Sequence, residues 1–123
     1  MDLSNFDENR MRIIQEYVPG CQVTLAHIIA SPDKILYQKL GLDPKIDYEK
    51  AAIGITTVTP SETAIIMADV AMKASGITLG FVDRFSGSLI ITGTVSEVEA
   101  SEHAILDYVR ENLKYTTCGI TKT

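Results

Sequence analysis

His27 and the dipeptide Asp83-Arg84 are the side chains in this 123-residue sequence whose types are best suited to chemistry. His27 lies in an apolar stretch without a second histidine, a cysteine or a carboxylate at metal-ligand spacing. Such a histidine is more often a hydrogen-bonded structural residue than a ligand or a base. The Arg84 guanidinium is able to bind an anionic metabolite, although an ion pair that holds the turn is the more frequent arrangement. A small oligomeric metabolite-binding regulator or enzyme, with clefts near these residues, is therefore one alternative.

The cysteines and the known catalytic motifs add little chemistry. Cys21 and Cys118 lack CxxC spacing and a nearby histidine pair, which favours free thiols in a reducing compartment. A metal cluster held by Cys118 and its symmetry mates is a second alternative. The sequence contains no GxGxxG, GxxxxGKS/T, GxSxG or HExxH pattern. We expect no catalytic residues, no cofactor and no bound metal.

Composition and charge exclude several classes of partner. The formal charge is −5, and no run of lysine or arginine is present, so neither nucleic acid nor anionic lipid is an expected partner. No apolar stretch approaches the roughly 20 residues that span a bilayer. Residues 1–12 lack the basic and apolar regions of a secretory signal, and we expect a cytoplasmic protein. The length fits one domain.

Hydrophobic patterning predicts one sheet of about four main strands covered by helices, an α+β fold. Residues 1–12 are polar and are predicted to be a mobile arm, followed by a single domain over 13–123. Pro19-Gly20 stops a short apolar strand over 13–18. The remaining predicted elements are strand 22–30, helix 31–41, strand 52–58, a helix to about Ser75, strands 77–83 and 88–94, a third helix, and an extended tail over 115–123.

Capping patterns place the helix starts. Ser31, followed by Pro32, is the predicted N-cap of the first helix. Capping boxes are predicted at Thr59 with Glu62 and at Ser96 with Glu99. The hairpin loop of residues 84–87 ends in a glycine where a positive φ is expected. The inward face of the third helix is formed by Val98, Ile105, Val109 and Leu113.

Several segments together resemble a known family, the circularly permuted microcompartment shell proteins of ethanolamine and propanediol utilisation (EutS/PduU type). The segments are Ile13-Ile14-Gln15-Glu16-Tyr17-Val18-Pro19-Gly20, Gln22-Val23-Thr24-Leu25-Ala26-His27, Ala52-Ile53-Gly54-Ile55, Thr59-Pro60-Ser61-Glu62-Thr63-Ala64, Gly80-Phe81-Val82-Asp83-Arg84-Phe85-Ser86-Gly87 and Cys118-Gly119-Ile120-Thr121-Lys122-Thr123. The resemblance covers most of the chain. It implies a permuted BMC domain, whose sheet is related to the ferredoxin-like fold, and a cyclic homohexamer.

The resemblance also implies roles for particular residues. The loop Arg84, Phe85, Ser86 and Gly87 is similar to the loop that rings the central pore of shell hexamers. Lys73 is similar to the lysine through which neighbouring hexamers meet. The segment Ile13, Ile14, Gln15, Glu16, Tyr17 and Val18 resembles the strand that six subunits combine into a β-barrel over the pore.

These resemblances predict a non-enzymatic subunit of a bacterial microcompartment shell in the cytoplasm. Its expected partners are five further copies of itself, other shell proteins at the hexamer edges, and encapsulated cargo enzymes. The enclosed pathway would produce aldehydes from ethanolamine, propanediol or choline.

Overall fold

The computed structural model describes residues 20–43 and 51–123. The predicted arm over 1–12 and the predicted barrel strand over 13–18 lie outside the described residues. The elements, in chain order, are β1 (Gln22–Ile29), α1 (Lys34–Lys39), β2 (Ala52–Thr59), α2 (Thr63–Ala74), β3 (Thr78–Asp83), β4 (Ser88–Gly93), α3 (Val95–Glu111), β5 (Thr116–Thr117) and β6 (Thr121–Lys122).

The strands form one mixed sheet in the order β3-β4-β2-β1-β5, with β6 also paired to β1. The four long strands pair antiparallel, whereas β5 and β6 run parallel to β1. Four main strands with helices confirm the predicted α+β architecture. The predicted extended tail is confirmed and closes the β1 edge, where the Ala30 N–H donates to the Thr123 carbonyl at 2.8 Å.

Two clusters of buried residues lie on opposite faces of the sheet. Ala52 and Ile53 belong to different clusters because successive residues of a strand point to opposite faces. The larger cluster lies between the sheet and the helices α2 and α3, and the smaller one lies under Tyr37 of α1. The predicted inward face of α3 is confirmed for Val98, Ile105 and Val109, which are buried, whereas Leu113 is partly buried and lies beyond the end of the helix.

Helices α2 and α3 contact each other through small side chains. Ala64, Ala68 and Ala71 of α2 are buried, which permits close approach of the two helices. The Ser101 hydroxyl of α3 donates to the Ala71 carbonyl at 2.8 Å and lies 2.8 Å from the Ser75 hydroxyl. A buried hydrogen bond of this kind fixes the helices in one relative position.

The predicted helix caps were wrong in position. The N-cap of α1 is Asp33 rather than Ser31, and its carboxylate accepts the Ile35 N–H at 3.0 Å. Thr59 does not cap α2, because it pairs with Gln22 as the last residue of β2, and the N-cap Glu62 makes no side-chain cap bond. The peptide bond Thr59-Pro60 is cis.

Helix α3 begins with a capping box two residues earlier than predicted. The Thr94 hydroxyl accepts the Glu97 N–H at 3.2 Å, and the Glu97 carboxylate accepts the Thr94 N–H at 2.9 Å. The helix starts here because β4 ends at Gly93. In the described part of the chain, no helix has the length and apolar content needed to cross a bilayer.

Candidate functional site: the 84–87 loop and the outer face of α2

The loop of residues 84–87, between β3 and β4, is held in shape by the side chain of Asp83. Asp83 Oδ1 accepts the Phe85 N–H at 2.8 Å, and Oδ2 accepts the Ser86 hydroxyl at 2.8 Å. These two hydrogen bonds hold the pKa of Asp83 below its usual range, and the bond from the Phe85 backbone contributes more than the bond from the Ser86 hydroxyl. The predicted ion pair with Arg84 is not among the ion pairs of the described residues. The Asp83 carboxylate instead orders the loop by accepting hydrogen bonds from the Phe85 N–H and the Ser86 hydroxyl.

Gly87 seats the loop against the end of β2. Its φ is +77°, as predicted, and its carbonyl accepts the Val58 N–H at 2.9 Å. A Cβ at this position would lie 2.2 Å from the Val58 carbonyl oxygen. Only glycine therefore fits, both for its backbone conformation and for space.

Phe85 projects from this loop, with 79% of the residue exposed. The Arg84 guanidinium carbon lies 4.9 Å from the centre of the Phe85 ring, a cation–π contact. Both residues line an open concavity with Ile65, Val82 and Asp83. The ordered loop thus presents an apolar ring and a cation side by side to solvent.

Lys73 lies in the last turn of α2, on its outer face. Its ammonium group is 2.8 Å from the Asp69 carboxylate, and the two side chains are 75% and 61% exposed. The hydrogen bond to Asp69 raises the pKa of Lys73, so the lysine is charged. Large apolar side chains on the same helix are also exposed, namely Ile65, Ile66 and Met72. This outer face therefore mixes apolar side chains with an accessible cation.

His27 is a structural histidine, as predicted. Its Nδ1 lies 2.5 Å from the Thr121 hydroxyl, and its Nε2 lies 2.9 Å from the Thr123 hydroxyl. Both ring nitrogens are thus used to hold the C-terminal segment against β1. Among the described residues, no group of three or more side chains is placed to hold a metal ion.

Both cysteines are free thiols, as predicted, and both are partly buried. The Cys118 N–H donates to the Val23 carbonyl at 3.3 Å, and its side chain packs against the larger core cluster. Cys118 therefore contributes to the edge of the sheet and to the core.

A functional group that the sequence analysis missed is Glu102 of α3, which is 0% exposed. The Thr56 hydroxyl donates to its Oε2 at 2.7 Å, while Oε1 has no hydrogen-bond partner among the described residues. Burial raises the pKa of Glu102 to about 7, although the hydrogen bond from Thr56 acts in the opposite direction and lowers the pKa. The available signal was its spacing, four residues after Val98 and three before Ile105, within the inward face of the helix.

Residues 52–120 match the family model of the BMC domain, which is more than half of the chain. The family match and the four-stranded sheet with its helices define the class: this is a BMC-domain protein. The match begins at β2, so β1 and α1 precede it, in the order expected of the circularly permuted type.

Relatives with known roles resemble the chain over nearly its whole length. The shell protein PduU of Salmonella typhimurium is 50% identical over 112 residues, which cover 91% of this chain and 93% of PduU. The shell protein EutS of the same organism is 49% identical over 115 residues, covering 94% and 99%. A solved structure described as CutR flat hexamer, form 1, is 44% identical with a TM-score of 0.78, covering 85% of this chain and 92% of CutR.

The chain belongs to the bacterial microcompartment shell proteins of the PduU and EutS type. Its role is structural rather than enzymatic, and its place is the microcompartment shell in the bacterial cytoplasm. The resemblance inferred from the sequence is confirmed, and so is the prediction of a shell protein.

Proposed function

We propose that six copies of this chain form a closed ring whose central pore is lined by Arg84, Phe85, Ser86 and Gly87. The observation that carries the proposal is the loop itself, because Asp83 accepts the Phe85 N–H and the Ser86 hydroxyl while the Phe85 side chain stays exposed. A loop ordered from within keeps its shape when no neighbour supports it. The similarity to a CutR hexamer supports the ring, and six loops around an axis form a narrow opening.

A second part of the proposal concerns the segment Ile13 to Val18, which would form a six-stranded barrel that caps this pore. A short strand without partners in its own subunit gains them by symmetry. The strand would lie at the start of a single domain over 13–123, preceded by a mobile arm over 1–12. Encapsulated cargo enzymes are the proposed partners of the cap.

A third part concerns the ring edge, where Lys73 would meet other shell proteins. Each chain carries a formal charge of −5, so neighbouring rings repel each other. An exposed lysine at the contact offsets part of this repulsion. The neighbouring apolar residues Ile66 and Met72 supply surface that association removes from water.

Disulfide crosslinking tests whether residues 84–87 surround an axis. A Phe85→Cys variant, in a background with Cys21→Ser and Cys118→Ser, places one thiol on each loop. We expect oxidation to yield covalent dimers and higher species, because neighbouring loops would bring their Cα atoms within roughly 7 Å, the reach of a disulfide. The matched control is Ile35→Cys, which places an exposed thiol in α1, outside the proposed pore loop.

Equal crosslinking of the two variants would contradict the proposed pore loop. A second result would also contradict it: a particle with the mass of six chains whose Phe85→Cys thiols react freely with a soluble reagent but never with each other.

A further inference from the structure

Glu102 is a carboxylic acid inside the hydrophobic core, and no assembly role proposed above uses it. It lies on the buried face of α3 together with Val98 and Ile105, all of them 0% exposed. Burying a carboxyl group in such a place is costly unless it is paired or protonated. The surroundings of Glu102 therefore decide which of its two forms the fold accepts.

The strand β2 is shaped to receive this side chain. Thr56 donates one hydrogen bond to Oε2 at 2.7 Å. Gly54, two residues earlier on the same face, leaves the space for Oε1, since an added Cβ there would lie only 2.7 Å from that oxygen. The carboxyl thus has one hydrogen-bond donor, and Oε1 has none among the described residues.

No charged group among the described residues faces Glu102. Its pKa is shifted by burial first and by the Thr56 hydrogen bond second, without a contribution from another ionised side chain. The buried residues of the elements around it are uncharged: Val23, Ala26 and Ile28 in β1, Thr63, Ala64, Met67, Ala68 and Ala71 in α2, Leu89 and Ile91 in β4, and Val98, Ser101, Ile105, Leu106 and Val109 in α3 itself.

We propose that Glu102 is a buried proton-binding site that makes the packing of α3 on the sheet depend on pH. In the protonated form the neutral carboxyl fits the apolar site. When the proton passes to solvent water, the carboxylate is left with one donor, and its hydration favours movement of α3 away from β2. The packing of α3 on the sheet is therefore most stable under mildly acidic conditions, and it becomes less stable as the pH rises into the alkaline range.

The sign of the effect follows from the direction of the shift. The pKa of Glu102 is raised to about 7 from 4.5, so the folded state keeps a proton that the opened state releases. The stability that the bound proton contributes is complete below the ordinary glutamate pKa. It is lost as the pH rises through the pKa of Glu102 in the folded state. Because each unit of pKa difference is a factor of ten, the equilibrium constant for opening rises by roughly two orders of magnitude from acid to alkaline pH.

Hydrogen exchange of α3 measures this opening directly. The amide protection of α3, corrected for intrinsic exchange, is followed from about pH 5 to about pH 8 in the full chain. We expect protection to fall as the pH rises, and we expect Glu102→Gln, which is neutral at every pH, to abolish that fall. The matched control is Glu111→Gln, which removes an exposed carboxylate from the same helix and should behave like the unaltered protein. Parallel profiles for Glu102→Gln and the unaltered protein would overturn the proposal.

A second measurement does not depend on the variant folding. In the unaltered protein labelled with ¹³C at its glutamate carboxyl groups, infrared spectra at about pH 6 should show one protonated carboxylic acid, which disappears above neutral pH. Only ionised glutamates at that pH would overturn the proposal. Because the site lies within one chain, either result leaves the proposed ring and its pore untouched.

Discussion

Gly54 and Glu102 are complementary across the contact between β2 and α3: a Cβ added to Gly54 would lie 2.7 Å from Glu102 Oε1. The same Cβ would lie 2.8 Å from Val98 and 2.9 Å from Ile91. Side chains of α3 and β4 thus converge on the space that the glycine leaves. This close approach sets the depth at which α3 packs on the sheet.

Gly54→Ala is therefore expected to destabilise the protein by about 1–3 kcal/mol, the usual cost of forcing an extra methyl group into a packed core. Urea denaturation at constant protein concentration measures the change in the free energy of unfolding. The control is Gly119→Ala, because a Cβ at Gly119 would meet nothing within 4 Å.

The cost should be smaller in a Glu102→Ala background, where the shortened side chain leaves room for the added methyl group. Equal costs in the two backgrounds would show that the two residues do not share this space.

Thr56→Val should move the pH response of α3 to higher pH. The Thr56 hydrogen bond lowers the pKa of Glu102, so its loss leaves the carboxylate harder to form. Stability should also fall by roughly 1–3 kcal/mol, because Oε2 is left without a donor. Hydrogen exchange of α3 against pH gives the midpoint, and Thr57→Val, on the opposite face of β2, is the comparison. A midpoint unchanged or lowered by Thr56→Val contradicts this account of the site.

Lys73→Ala should prevent growth of rings into sheets and leave the ring itself intact. The lysine side chain is exposed, and its ion pair among the described residues is a surface pair with Asp69 of its own helix, so its removal costs the protomer little. Negative-stain imaging at rising concentration measures sheet growth. Lys39→Ala removes the corresponding last-turn lysine of α1 and should grow sheets normally. Sheets from Lys73→Ala that match those of Lys39→Ala would exclude the proposed edge role.

The sequence predicted the fold well where one pattern dominated. The inward stripe of α3 and the positive φ of Gly87 follow from helical periodicity and from the geometry of a tight hairpin. The capping signals were ambiguous, because Thr94 with Glu97 and Ser96 with Glu99 fit the same pattern. Only the end of β4 at Gly93 selects the first of them.

Other features depend on contacts between distant residues. Thr59 was assigned to a helix cap, yet its pairing with Gln22 makes it part of β2. Glu102 was not recognised because a carboxylate on a helix is normally solvated, and only the space left by Gly54 admits it to the core. The pore loop, the edge lysine and the barrel strand came from the family resemblance, and their roles stay predictions.

The mass and symmetry of the particle in solution test the central claim most directly. Light scattering combined with class averages from negative-stain images should give six copies of the 13.5 kDa chain and a six-fold ring with a central feature on the axis. A persistent monomer or trimer across the concentration range would contradict the proposed ring, and with it the pore of residues 84–87.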